Sequence, residues 1–263
     1  MNLIKLIETL EKAEKDAYIE PLERASEKKF SKMFKEQKKQ VLKRFEKYKD
    51  KLPTPDDFTN DLDAVFAFST YKDTLKEVLQ KALKLGGEVQ FNELTEIKEA
   101  SIGIGFDVSN PRAEQWINQR ATEMISNIDE TTRQRIKKIL EDAAENGWNY
   151  NTTAGMINSE FEQFAGTMPQ QHIQSRAHLI AVTETANAFG QGNMEAAQQV
   201  KEAGIEMQKK WSNTGDSRVS EGCRTNSRAG WIDIDEPFPS GDMREPRFPG
   251  CRCRVLYERK KIE

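Results

Sequence analysis

From Leu3 to about Lys51 apolar residues return every three or four positions, at Leu3, Leu6, Leu10, Ala13 and Ala17, then Phe30, Met33, Val41 and Phe45. The positions between them are rich in Lys and Glu. This 3.6-residue stripe predicts an amphipathic helix that ends or kinks near Pro21, because proline lacks an N–H and crowds the preceding turn. Pro53 and Pro55 mark a break, after which Asp56 or Asp57 is placed to cap the next helix. A second stripe (Phe58, Leu62, Val65, Phe66, Leu75, Leu79, Leu83) predicts a helix that stops at Gly86-Gly87, with residues 88–110 irregular. Asn110 and Pro111 then suit a helix start. Three helices are expected over roughly 111–127, 130–146 and 152–165, with Asp129 before the second, Gly147 ending it and Thr152-Thr153 opening the third. A long helix follows from about 170 to 203, containing Gly190 and Gly192. Each glycine costs a helix about 1 kcal/mol relative to alanine, and close helix packing is the first explanation for the pair.

After Gly204 the period changes to two. Ile205, Met207, Lys209 and Trp211 alternate as a half-buried strand does, and Trp231–Asp235 and Val255–Tyr257 are two more short strand candidates. The pattern predicts a mainly α protein, with an elongated helical N-terminal and central part and a small α+β C-terminal module. The expected regions are an extended helical stretch over 1–110, a helical central part over 111–204, and a Cys- and Arg-rich β-containing module over 205–263.

Composition agrees with long amphipathic helices more than with a thick core: 37% of the 263 residues are hydrophobic and 32% charged. No stretch approaches 18 uninterrupted apolar residues, so no membrane partner is expected. The first residues lack the hydrophobic block of a secretory signal, which predicts a protein made and kept in a cytoplasm. Three cysteines do not make a disulfide scaffold. The net charge of −3 hides local differences: residues 1–50 carry +4 and residues 201–263 carry +2, and the rest is acidic. Eight of the 15 arginines lie between Arg218 and Arg259, in the same stretch as all the cysteines. Planar, bidentate cations are wanted there.

Few side chains suggest chemistry. Cys223, Cys251 and Cys253 are either buried reduced thiols or a metal site, with a functional disulfide as a third reading. The module has few large apolar residues, and zinc is the usual staple of such a module inside cells. Cys251 and Cys253, two apart on an extended segment, would share a face and converge with Cys223 beside Trp211 or Trp231. Asp216 is the nearest fourth ligand, with His172 and His178 as others. Glu184 sits in an apolar turn of the long helix and must find a cation, with Arg218, Arg252 and Arg254 the leading partners. No second acid, nucleophile or base stands at a recognised spacing, so no enzyme is expected. Lys28, Lys29, Lys32, Lys35, Lys38, Lys39, Lys43 and Arg44 make a basic helix that can touch nucleic acid, although Glu23, Glu27, Glu36 and Glu46 interleave with it.

One order of motifs is distinctive. The run from Ala177 through Ile180-Ala181-Val182-Thr183-Glu184-Thr185 to Gly190 and Gly192 is followed by Gly204, Lys210-Trp211-Ser212, Asp216-Ser217-Arg218-Val219, Asp235-Glu236-Pro237-Phe238, Pro249 and Cys251-Arg252-Cys253. Asp129-Glu130-Thr131-Thr132-Arg133, Gly147 and Ile157 lead into it. Over about residues 115–257 this resembles the phage Mu F-like head morphogenesis family. Val182 stands where that family usually has Arg, and Cys223 where it usually has His. His and Cys share few roles besides zinc ligation, so the second exchange favours a metal. The resemblance implies a minor capsid component acting in procapsid assembly at or near the portal, with portal, major capsid or scaffolding protein as partners. It implies residence in the virion after assembly in the host cytoplasm, as an oligomer there, with packaged DNA as the alternative partner.

Overall fold

The computed structural model describes residues 3–66, 69–96, 106–165, 175–213, 215, 219–249, 251 and 253–260. It is mainly helical: α1 (Leu3–Phe45), α2 (Pro55–Asp61), α3 (Asp63–Phe66), α4 (Ser69–Glu96), α5 (Pro111–Asn146), α6 (Tyr150–Ala165) and α7 (Arg176–Glu202) precede the C-terminal module. The module contains β1 (Met207–Ser212), α8 (Glu221–Arg228), β2 (Trp231–Asp233) and β3 (Arg254–Arg259). Its strands form an antiparallel sheet in the order β2-β1-β3. No helix among the described residues is long and apolar enough to cross a membrane.

Several expected boundaries fall inside helices. α1 runs unbroken with Pro21 inside it. An interior proline costs about 3 kcal/mol, whereas burying a single large apolar side chain contributes about 1.5–3 kcal/mol. Downstream of the proline α1 buries Phe30, Met33, Phe34, Val41 and Phe45, enough to hold that part of the helix. The cap after the proline break is Thr54 rather than Asp56 or Asp57; its hydroxyl accepts the Asp57 N–H at 3.2 Å and Pro55 takes the first turn. The region expected as 111–127 and 130–146 is one helix, with Asp129 buried in its middle instead of capping. Asn149, not Thr152 or Thr153, caps α6, accepting the Thr152 N–H at 2.9 Å. Gly147 does end α5, at φ 64°.

Gly86 and Gly87 do not stop α4 either, since the helix continues to Glu96. They mark the place where another backbone comes close. A Cβ on Gly86 would lie 2.2 Å from the Phe189 carbonyl oxygen, and one on Gly192 would lie 2.0 Å from the Leu83 carbonyl oxygen. Helices α4 and α7 therefore touch backbone to backbone through glycines on both sides. This is the close packing expected for Gly192. Gly190 instead makes room for the Glu245 carbonyl oxygen, 2.9 Å from its would-be Cβ.

By compactness the chain forms two units built from interleaved segments. One comprises Ala25–Glu77 and Asn118–Ala181. Its core is aromatic and aliphatic: the Phe45 ring lies 5.1 Å from Phe58, edge on, and 5.1 Å from Tyr150, stacked. Phe34, Leu62, Leu75, Ile136, Leu140 and Phe161 are buried in the same unit. Arg133 ties α5 to the α2–α3 turn, donating to the Thr59 carbonyl at 3.0 Å and pairing with Asp63 at 2.6 Å. Asp129 is held by Gln37, and burial, opposed by Arg133, pushes its carboxyl up to about 6.

The other unit comprises Met1–Arg24, Val78–Ile117 and Val182–Glu263. Within it the sheet buries Met207, Trp211, Val255 and Tyr257 against Phe91 and Leu94 of α4 and Ala196, Ala197 and Val200 of α7. The alternation expected for β1 is present, with Met207, Lys209 and Trp211 on the buried side.

Candidate metal centre

The three thiols come together at the edge of that core. The sulfurs of Cys223, Cys251 and Cys253 all lie within 4.8 Å of one another, and none is in a disulfide. A tetrahedral zinc with bonds of about 2.3 Å needs sulfurs about 3.8 Å apart. The donor set and its spacing therefore fit a borderline-soft divalent ion. Cys223 and Cys253 are buried and Cys251 is half-buried.

Local structure explains each position. Cys223 is in the first turn of α8, where the Ser220 hydroxyl accepts its N–H at 3.3 Å as the helix cap. The residue pattern predicts a loop over this segment, because the Gly, Ser and Arg content of α8 hides its helical character. Cys251 is fixed by a turn in which its N–H donates to the Phe248 carbonyl at 3.0 Å. Cys253 immediately precedes β3, whose pairing with β1 sets its direction.

Cys251 accepts the Cys253 thiol proton and the backbone N–H groups of Cys253 and Arg247; together these pull its thiol down to about 6 against the effect of burial. Cys253 is pushed up, first because its proton is held by Cys251 and then by burial, and the Trp211 indole N–H opposes both. The Arg247 guanidinium lies beside Cys223, its Nη1 3.5 Å from the Ser220 hydroxyl, and its Nε donates to Asp242 Oδ2 at 2.6 Å. Asp242 is itself bonded by the Ser240 hydroxyl at 2.6 Å, and Ser240 exchanges two hydrogen bonds with the buried Asn226 of α8. Gly222 makes room for this, because a Cβ there would lie 2.0 Å from Arg247 Nη1.

The remaining expected residues are distributed as follows. Asp216, Arg218, Arg252 and His172 lie outside the described residues. His178 bonds Glu27 at 3.0 Å, within the unit that does not contain the thiols. Glu184 is 2% exposed on α7. Arg254 reaches Glu93 of α4, donating at 2.8 and 3.0 Å. Trp211 was expected beside the thiols and is there, whereas Trp231 is exposed. Arg247 was missed. The arginine enrichment around the cysteines pointed to the region, but not to a cysteine as its neighbour.

Elsewhere in this unit α7 carries a buried polar network. Arg112 donates to Glu195 at 3.0 Å, Gln191 donates to Glu195 at 2.9 Å, and Arg244 donates to Gln191 at 2.8 Å. Lys209, fully buried in β1, donates to the Met243 carbonyl at 2.9 Å, and burial lowers its amine to about 8.

The architecture is thus a helical assembly joined to a small sheet that carries a thiol trio. Residues 134–256, from within α5 to within β3, match the family described as Phage Mu protein F like protein. No curated protein and no solved structure matches the chain.

Proposed function

We propose that this protein is a structural component of tailed-phage head morphogenesis, a minor capsid protein that acts in procapsid assembly at the portal-bearing vertex and stays with the head. The family match over residues 134–256 carries this reading. Portal, coat or scaffolding subunits are its partners, and it turns over no substrate. The C-terminal module is a fixed docking element, and the thiol trio binds zinc as its staple. The fit of the three sulfurs to a tetrahedral ion supports that assignment. The chemistry the ion supplies is structural: it cross-links α8 to the segment leading into β3. The buried Glu184 anchors α7 through a cation of the module, a pairing tested by whether Glu184→Gln lowers the melting temperature. The main test is sedimentation of heads from infected cells. The protein is expected to travel with procapsids, and its confinement to the soluble fraction would overturn the reading.

A second reading has one observation in its favour. Lys28, Lys32, Lys35, Lys39 and Lys43 are all exposed and recur every three or four residues of α1, opposite the buried Phe30, Gln37 and Val41. Such a stripe suits the phosphates of nucleic acid. The C-terminal arginines suit it less, because Arg247 and Arg254 are engaged with Asp242 and Glu93. Binding through the stripe would weaken as salt rises. Each lysine removed from a phosphate would make the slope of log K against log salt shallower by about 0.9. A slope unchanged in the five-lysine variant excludes it.

A further inference from the structure

The Arg247 guanidinium lies at the first turn of α8, its Nη1 3.5 Å from the Ser220 hydroxyl and close against Gly222, next to Cys223, whose sulfur lies within 4.8 Å of those of Cys251 and Cys253. The buried Trp211 indole N–H, beside Cys253, makes no hydrogen bond among the described residues. A neutral thiol is only a weak acceptor and itself carries a proton to be placed. Donors aimed at sulfur from outside the trio are the arrangement that metal-bound thiolates require, since bonds made to the ligands from behind orient them and tune their charge.

Charge singles out Arg247 among them. When three thiols exchange their protons for one divalent ion, the centre gains a single negative charge in a half-buried place. Among the described residues the Arg247 guanidinium is a cationic group beside the trio, and it is held on both sides. Gly222 leaves it room, and Asp242, about a third exposed and so screened by water, takes its Nε. Its Nη1 is left to the Ser220 hydroxyl, 3.5 Å away, at the cap of the helix whose first turn carries Cys223.

We infer that Arg247 is the charge-balancing and positioning residue of a three-thiolate metal centre, oriented by Asp242 and admitted by Gly222. The inference rests on the reading that the trio binds zinc. It further assigns the centre to a divalent ion of the zinc, cobalt or cadmium kind, because an oxygen-seeking ion gains nothing from three sulfurs.

The test uses the full chain, reduced, titrated with cobalt and competed with zinc and a chelator. The wild type is expected to take up one cobalt with a thiolate-to-cobalt charge-transfer band. Arg247→Ala is expected to keep the band and lose 10- to 100-fold in affinity, the usual effect of losing a group that supports a metal ligand. Arg247→Lys, which keeps the charge without the planar fork, recovers part of it. A residue that merely packs would lower the melting temperature of the metal-free protein and leave affinity unchanged, and that result overturns the inference while the zinc reading stands. Absence of the band from wild type removes the zinc reading, and the inference with it. Should Arg247→Ala not fold, Asp242→Asn releases the guanidinium instead. Unchanged affinity in that variant counts against the inference, and reduced affinity supports it.

Discussion

At the centre of the unit formed by residues 25–77 and 118–181 the packing is carbon on carbon, with Phe45 between Phe58 and Tyr150 and aliphatic side chains from α5 and α6 around them. The C-terminal module encloses different atoms: three sulfurs, a buried amine, an indole N–H and a guanidinium lie among its few large apolar groups. The centre of the first region is held mainly by burial without direction, which tolerates changes of shape and is lost in proportion to volume removed. The second depends on directed bonds, so losing one partner strands another. A small module can hold a unique shape this way with little hydrophobic surface, at the cost of sensitivity to single atoms.

The strongest way to break the contrast is to remove sulfur. If the trio holds zinc as proposed, Cys253→Ser, or exhaustive chelation of the reduced protein, is expected to unfold the module, because a structural zinc contributes on the order of 10 kcal/mol of binding free energy. Hydrogen exchange should show β1 and β3 losing protection while α2 and α6 keep theirs. Equal loss in both regions would mean that they do not differ as described. Phe45→Ala, the converse change, is expected to cost about 3–5 kcal/mol by denaturant unfolding, loosening α2 and α6 and leaving the fluorescence of Trp211 as it was.

Glycine substitutions sharpen the comparison on a smaller scale. Gly192→Ala drives a methyl into the Leu83 carbonyl, 2.0 Å away, and is expected to cost about 1–3 kcal/mol, as overpacking does. Gly155→Ala, where nothing lies within 4 Å, should instead stabilise α6 by up to about 1 kcal/mol. If both changes act alike on the melting temperature, the close approach of α4 and α7 is not what holds them.

A last way to sharpen the comparison concerns pH. Asp129 has its native carboxyl raised to about 6 from an ordinary 3.8. The native state then binds a proton more readily than the unfolded chain, and stability falls as pH rises from about 4 to about 6 and is level above that. Asp129→Asn should remove this slope from urea midpoints measured across the window, and a slope that persists assigns it to another group.

What could be read from the sequence follows the same division. Apolar periodicity marks α1, α4, α5 and the buried side of β1, because amphipathic burial leaves a local signature. Pro21 and Gly86-Gly87 look like breaks and are not, since glycine spells both a stop and a close approach, and only the Phe189 backbone tells them apart. The thiol trio was legible because a module so poor in apolar residues needs another source of stability. Its surroundings were not, as Trp211 and Cys253 meet only through the pairing of β1 with β3.

The interleaved segments also set an order of events at the ribosome. One unit has all its residues once Ala181 is made, whereas the other lacks its last segment, Val182–Glu263. Gly86 of α4 is synthesised more than a hundred positions before Gly192 of α7, the surface made to fit it. At 5–20 residues per second that is an interval of roughly 5–20 s. For that time the glycine face of α4 is complete and has no cognate helix of its own chain to receive. Exchange of α7 between two neighbouring nascent chains is the misassembly that this delay permits, and crowded polysomes are where it would be found.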